Sequence, residues 1–451
     1  MKDFIITASR KAKDEAAFNK LWNNIQQYES KVKEGKKQFK DLELAKNIAG
    51  NIKQHALDHL HNYLKRFANI ARLNGINVLW ASTSTEALKY VDEICQKHNI
   101  KTVIKSKSMV TEEIGLREHL EEKSVEVYET DLGELIVQWA KEKPYHIVTP
   151  AMHKSREDVA RLFNEKLGAR LDASHEELVG YARQFLREVY QRADCGITGA
   201  NFIIADIGGV AITENEGNAR MCFSVPKIHI VIAGIEKVIP SLSDLALFFP
   251  LLATYGTGQW ITTYNSIILG PRKDNELDGP EHMYVILLDN GRTRLLSDMK
   301  ARVAARCIRC GACLNNCPVY QHIGGHAYPH IYSGPIGKVI VPWLDSSLGY
   351  VSFASSLCGK CSEVCPVEIP LHELIQYNRI KHQEDQGSLL EAIGFYLWTL
   401  SSKFPILENI IPSKLKSWIF NKFIAKKWYP RKPLRFPRKT FARAYKRLLK
   451  K

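Results

Sequence analysis

No stretch of this 451-residue chain approaches the ~18 consecutive apolar residues that a membrane-spanning helix requires. The richest run, Leu245–Ala253, is short and interrupted by Pro250. The opening residues, MKDFIITASRKAKDEAAF, lack the apolar centre of a secretory signal. Glycine never falls into a dinucleotide fingerprint or a phosphate loop, and Gly256-Thr-Gly258 lacks the third glycine of G-x-G-x-x-G. These absences argue against a spanning, secreted or nicotinamide-binding protein. They predict a soluble, cytoplasmic one, and the length predicts two or three compact units.

Lys426–Lys451 contains twelve Lys or Arg and no Asp or Glu, so most of the formal charge of +15 belongs to a tail. The remainder is nearly balanced, with 45 % hydrophobic and 25 % charged residues overall, enough to bury a sizeable core. No recognition motif accompanies the basic tail, and no nucleic acid is expected as a partner.

Cysteine is scarce through the first 300 residues, where Cys95, Cys195 and Cys222 stand alone and are expected to be packed core residues. Seven of the ten cysteines then crowd into Cys307–Cys365. In a reducing compartment such crowding signals metal or redox chemistry rather than disulfides. The run Cys307-Ile-Arg-Cys310-Gly-Ala-Cys313-Leu-Asn-Asn-Cys317-Pro318 is C-x2-C-x2-C-x3-C-P, the bacterial ferredoxin spacing. Three closely spaced thiolates wrap one cluster, and the fourth, redirected at the proline, ligates another. Gly311 and Ala312 let the backbone approach the inorganic sulfides.

A second run, Cys358-Gly-Lys-Cys361-Ser-Glu-Val-Cys365-Pro366, has one cysteine fewer, and Val364 is read as occupying the third-ligand position. By the crossing rule Cys365 joins Cys307, Cys310 and Cys313 on the first cluster, leaving Cys317, Cys358 and Cys361 for the second. The spacing predicts two iron–sulfur clusters of the 4Fe–4S type. For the second it leaves open a 4Fe–4S cluster with a non-cysteine ligand, a 3Fe–4S cluster, or completion by a partner protein. Paired C-x2-C motifs also suit zinc, but two C-P endings fit a zinc ribbon poorly. About forty residues separate the runs, which predicts intervening helices and an α-helical ferredoxin module.

Before this module, short apolar runs alternate with helical stretches. The runs are Ile76–Ala81, Thr102–Ile104, Val125–Tyr128, Ile147–Val148, Phe202–Ala205, Ile228–Ala233 and Met283–Leu288; the helical stretches include Thr85–Cys95 and Leu132–Ala140. Such alternation predicts an α/β domain with a mostly parallel sheet. The first 75 residues read as helices, with apolar stripes Phe18, Leu21, Trp22, Ile25 and Leu57, Leu60, Leu64, Phe67. The expected organisation is therefore a helical extension (1–75), an α/β domain (76–296), a two-cluster ferredoxin domain (297–387) and a basic aromatic extension (388–451).

Three polar, glycine-bearing regions read as loops. They are Lys105–Glu113, a candidate anion-binding helix start; Gly196–Phe202 with Asp206–Gly209 and Glu214–Arg220; and Gly256–Gly258 with Gly270–Arg272 and Asp278–Glu281. Glu214 and Glu216 would share a face on a strand, a weak enzyme signal.

The segments KSKSMVTEEI, YETDLGELIVQ, GITGANFIIADIGGVAITENEGNAR and DGPEHMYVILLDNGR, followed by CIRCGACLNNCPVY and LCGKCSEVCPV, resemble the lactate utilization protein B family. The resemblance covers nearly the whole chain, in order. It implies an α/β lactate-utilization domain similar to CoA transferases and sugar-phosphate isomerases. It also implies two partners, a cysteine-rich iron–sulfur subunit and a second lactate-utilization-domain protein, in the oxidation of L-lactate to pyruvate. It assigns no substrate-contacting residue. In the tail, Leu415, Trp418, Ile419 and Phe423 lie at helical spacing among Lys414, Lys416, Lys422 and Lys426, suiting an acidic partner or, alternatively, peripheral contact at the inner membrane face.

The favoured function is an iron–sulfur electron-transfer subunit. Its rivals are an enzyme acting on a hydroxy acid or acyl compound in the α/β cleft, and a redox-sensing scaffold with structural clusters.

Overall fold

The computed structural model describes residues 1–387, 389–403, 412–424, 433–437, 445 and 447–449. These divide into two compact units, Met1–Arg379 and Ile380–Lys451. In the first unit four helices, Lys2–Lys11, Glu15–Gly35, Leu42–Asp58 and Leu60–Leu73, precede any strand. Asp14 and Asp41 start the second and third by accepting the N–H groups of Ala17 and Leu44. Of the two predicted stripes, Leu21, Ile25, Leu57, Leu64 and Phe67 are buried, whereas Trp22 is exposed.

Ten strands follow: β1 Ile76–Ala81, β2 Thr102–Lys105, β3 Glu126–Glu129, β4 Cys195–Thr198, β5 Phe202–Ile204, β6 Gly209–Glu214, β7 Ile228–Gly234, β8 Val238–Ile239, β9 Tyr264–Ile268 and β10 His282–Leu288. Six form an all-parallel sheet in the order β1-β10-β7-β4-β2-β3. The central β7 is buried at every residue, as a strand covered on both faces must be, while the edge strand β1 alternates and leaves Trp80 exposed. One face packs Val78, Val231 and Val285 against Leu64, Phe67 and Ala71; the other packs Ile197, Ile230 and Ile286 against Val91, Ile94 and Leu120. The fold is the expected α/β class, with the cysteine module carried on short helices and 3-10 turns from Ala301 onward.

Four features depart from the sequence reading. Ile147–Val148 is not a strand; the segment is an irregular loop closed by Tyr145 N–H to Pro150 O. Gly196–Thr198 is not loop but the interior of β4, where Gly196 is required because a Cβ would stand 1.7 Å from Cys222 O. Phe202–Ile204 belongs to a separate four-stranded sheet, β8-β5-β6-β9. Gly256-Thr-Gly258 is the C-terminal end of the helix Leu245–Thr257, with Gly258 left-handed at its cap.

The lone cysteines are buried among apolar residues as expected, Cys95 and Cys195 beside Ile94 and Ile197, and Cys222 beside Ile104 and Val189. In the second unit the helices Leu389–Lys403 and Ser413–Ile419 present Phe395, Leu397, Trp398 and Trp418 to solvent. Lys426, Pro405, Pro430 and most of the basic run lie outside the described residues, as does the side chain of Phe423. No helix among the described residues is long and apolar enough to cross a membrane.

Candidate iron–sulfur sites

Each cysteine run is wound by the same backbone device. In the first, Arg309 and Gly311 are left-handed (φ 64° and 80°) and turn the chain around Cys310 into the short helix Ala312–Asn315. In the second, Leu357 and Gly359 (φ 56° and 85°) do so around Cys358, ahead of Lys360–Glu363. Pro318 then occupies the first turn of the helix Pro318–Ile323, where its missing N–H costs nothing.

These loops gather the sulfurs into two sets. Beyond the effect of burial, the charge of Cys307 bears on Cys310, Cys313 and Cys365, and that of Cys365 on Cys310 and Cys313. Cys317 and Cys358 bear on Cys361. Each run thus sends its last cysteine to the other run's set. Cys310, Cys317, Cys361 and Cys365 are buried, Cys307 and Cys313 half-buried, and Cys358 exposed. Burial pushes the Cys361 and Cys365 thiols up to about 11, and raises Cys310 and Cys313 as well. The thiolate form therefore needs an adjacent cation or N–H donors. Arg309 N–H supplies one donor to Cys307 Sγ at 3.4 Å, and backbone N–H groups of Ala312, Ile336, Val367 and Ile369 supply Cys310, Cys313 and Cys365.

Among the described residues, the groups of three or more ligand atoms lying within 4.8 Å of one another are Glu142–His153–His326 and Glu112–Glu129–Glu134, and neither includes a cysteine. Tetrahedral zinc at a Zn–S distance of about 2.3 Å would hold sulfurs about 3.8 Å apart. Among the described residues no three of these sulfurs lie within 4.8 Å of one another, wider than a single tetrahedral zinc ion would hold them.

The surroundings fit an anionic group. Arg309 lies 4.3 Å over the Tyr332 ring and 3.5 Å from Glu236 Oε1, yet its Nη1 is buried with no hydrogen-bond partner among the described residues. Lys53 and Lys237, both buried, feel the charge of Cys307; burial lowers them to about 7 and about 8. Lys53 Nζ is held by Glu236 O at 2.5 Å and Val238 O at 3.2 Å. At the second set, buried Lys338 places Nζ 3.6 Å from Cys317 Sγ. Burial lowers its pKa while Cys317 and Cys361 oppose that. A bound iron–sulfur cluster would be held by these sulfurs and its negative charge met by these cations.

The first set sits against the carboxyl ends of the parallel strands. Arg292, just after β10, donates from Nε to Glu236 Oε2 at 2.7 Å and from Nη2 to Glu113 Oε2 at 2.8 Å. Tyr332 OH from the cysteine module also donates to Glu113 Oε2, at 2.7 Å. Burial alone would raise the Glu236 carboxyl, but Arg292, Arg309 and Lys237 outweigh it and bring it to about 2. The Ile147–Val148 segment finds its use here. A Cβ on Gly311 would stand 3.0 Å from Val148 Cγ2 and 3.2 Å from His146 Cε1, so the apolar pair is the seat of the first cysteine loop.

Three sequence signals resolve differently. Lys105 is no anion site, because its buried Nζ is taken by Glu112, Glu129 and Glu134 at 3.0, 3.0 and 3.3 Å. Lys107 is likewise spent on Val148 O. Glu214 caps the following helix by accepting Ala219 and Arg220 N–H, and Glu216, past the end of β6, accepts Leu132 N–H. Each carboxylate is engaged with backbone amides, and together they form no acid–base pair. Conversely, the sequence reading passed over Lys53, Lys237, Arg292, Glu236 and Lys338. Lys338 alone carried a legible signal, a single charge inside the otherwise apolar helix Gly334–Leu344.

Comparison with known proteins identifies two domains in the chain. The LUD domain model matches residues 64–288, and the 4Fe-4S dicluster domain model matches residues 303–369, which contain all seven cysteines. Lactate utilization protein B of Bacillus velezensis is 44 % identical over 367 residues, covering 80 % of this chain and 77 % of that protein. The Bacillus subtilis protein of the same name is 44 % identical over 345 residues (76 % and 72 %), and that of Oceanobacillus iheyensis 40 % over 390 (84 % and 81 %). A solved DUF162 family protein from Deinococcus radiodurans aligns with 51 % of this chain and 98 % of its own, at 12 % identity and a TM-score of 0.29, too low to bear on the fold. With a LUD domain followed by an iron–sulfur dicluster module, and this degree of identity along most of its length, the chain belongs to the lactate utilization protein B family.

Proposed function

We propose that the chain is the iron–sulfur electron-transfer subunit of a complex that oxidises L-lactate to pyruvate. Its partners would be a cysteine-rich iron–sulfur subunit and a second lactate-utilization-domain protein. The observation that carries this reading is the exchange of Cys317 and Cys365 between the two runs, which binds two redox sites into one module. Cys307, Cys310, Cys313 and Cys365 hold the first 4Fe–4S cluster; Cys317, Cys358 and Cys361 hold the second. When bound, the clusters supply reversible one-electron storage, and two of them match the two electrons released by a hydroxy-acid oxidation.

The chain's residues divide the remaining work. The first set is enclosed, with Arg309, Lys53 and Lys237 compensating charge, while exposed Cys358 puts the second set at the surface where a partner can approach. The carboxyl ends of β7 and β10 are occupied by the Arg292–Glu113–Glu236 network, which favours a carrier over a catalyst. The exposed aromatic residues of Leu389–Lys403 suit docking to a partner protein.

Anaerobic iron and sulfide analysis with EPR before and after L-lactate tests the reading. About eight irons in reducible clusters that stay oxidised with lactate until the partners are added would support it. Reduction by lactate in the isolated chain would instead move the catalysis into this subunit.

A further inference from the structure

The two cysteine runs superimpose in a register different from the one their cysteine count suggests. Cys358, Cys361 and Cys365 follow Cys310, Cys313 and Cys317 at a constant offset of 48 residues, and Gly359 follows Gly311. The backbone obeys the same offset. Leu314 N–H to Gly311 O (2.9 Å), Asn315 N–H to Gly311 O (3.3 Å) and Cys317 N–H to Leu314 O (3.1 Å) recur as Ser362 to Gly359 (2.9 Å), Glu363 to Gly359 (3.3 Å) and Cys365 to Ser362 (3.2 Å). Left-handed Arg309 and Gly311 recur as left-handed Leu357 and Gly359. Val364 corresponds to Asn316, a helix-end position with φ and ψ of −83° and −2° against −90° and 0°, and it packs on the core. The ligand missing from the second run is therefore not at Val364. It is the counterpart of Cys307, which is Ser355.

The side chains repeat the correspondence. In the first loop Arg309 N–H donates to Cys307 Sγ at 3.4 Å; in the second, Leu357 N–H donates to Ser355 Oγ at 3.1 Å. The Ser355 carbonyl is anchored separately by Arg379 Nη2 at 2.6 Å, which fixes the loop without using the hydroxyl. We propose that Ser355 is the fourth ligand of the second iron–sulfur site, its Oγ taking the place that Cys307 Sγ takes in the first. The proposal rests on the reading that both sites hold clusters. Binding forms one Fe–O bond; the hydroxyl proton leaves to solvent, which half-buried Ser355 can reach, and no electron is exchanged. The second site then has three sulfur ligands and one harder oxygen ligand, so its fourth iron is held less firmly than any in the first.

The test uses the full chain purified anaerobically as wild type, Ser355→Ala, Ser355→Cys and the neighbouring control Ser356→Ala. Iron and sulfide per chain, EPR after mild oxidation and Mössbauer spectra are compared. The wild type should hold about eight irons, one spectroscopically distinct from the rest. Ser355→Ala should fall to about seven, with a three-iron EPR signal on oxidation. Ser355→Cys should keep about eight, lose the distinct iron and shift the midpoint of one cluster only. Ser356→Ala should match wild type. A Ser355→Ala protein with wild-type iron and spectra, or a wild type that already shows the three-iron signal unchanged by Ser355→Ala, overturns the assignment while leaving two clusters in place. A wild type that holds no second cluster overturns the two-cluster reading itself and the assignment with it.

Discussion

The two cysteine loops share one backbone and differ in what surrounds it. The first rests on Val148 and His146, faces the sheet's carboxyl ends, and has Arg309, Lys53 and Lys237 about Cys307. The second has Lys338 on one side and leaves Cys358 exposed. Local winding is thus enough to shape a ligand loop twice, whereas charge, burial and access are decided by what each loop is packed against. An enclosed, charge-compensated site suits exchange within the molecule, and an exposed one suits exchange with a partner.

Removing a ligand from each loop should break the comparison most severely. Cys307→Ala should cost the first cluster and Cys358→Ala the second, about four irons each, in metal analysis of anaerobic protein. Equal loss of all iron from both variants, with the fold intact by circular dichroism, would contradict the division into two sets.

Next in size is the joint between sheet and first loop. Arg292→Met leaves Glu113 without its buried cation and Glu236 with only the longer contact to Arg309, and should destabilise the first unit by about 3–5 kcal/mol. Thermal unfolding checks this. Arg294, whose guanidinium meets Trp343 O, is a neighbour outside the network and a suitable control.

The seat of the first loop should also be pH-sensitive. Burial, aided by Lys107, lowers His146 to about 3, and its Nδ1 accepts Val148 and Thr149 N–H. The unfolded chain takes up this proton below about 6.5 and the folded one does not, so stability is full above that pH and declines toward pH 3. The loss at pH 5 should be roughly 2 kcal/mol, and His146→Gln should flatten it in unfolding curves taken at pH 5 and 7.

Smaller effects separate conformation from packing. Gly359→Ala meets nothing within 4 Å and should cost only the left-handed backbone, about 1–2 kcal/mol. Gly311→Ala incurs that and crowds Val148 and His146 as well, so the difference between the two variants reads the tightness of the first seat. Lys338→Met, finally, should lower the midpoint of the second cluster and leave the first nearly unmoved, in a potentiometric EPR titration.

Much of this molecule is written locally. β7 and β10 were legible because consecutive buried residues leave a contiguous apolar signature, and the cysteine spacing prescribes a loop that brings sulfurs round one group. β4 was missed because Gly196 and Thr198 look like loop residues until Cys222 is seen against them. The second run was misread at Val364 because counting cysteines fixes no register, and left-handed turns and N–H donors do. Lys105 looked available because sequence separates it from Glu129 and Glu134.

What the sequence by itself determined is the set of local geometries: the strands of a doubly covered sheet, the helix starts at Asp14 and Asp41, and two glycine-turned cysteine loops. Their physical causes lie within a few residues of one another along the chain. Only the tertiary structure decided which sulfurs meet, which cations face them and which loop is left open to solvent. Those outcomes depend on contacts such as Lys53 with Glu236 and Arg292 with Glu113, between residues far apart in sequence whose charges are costly to bury except together.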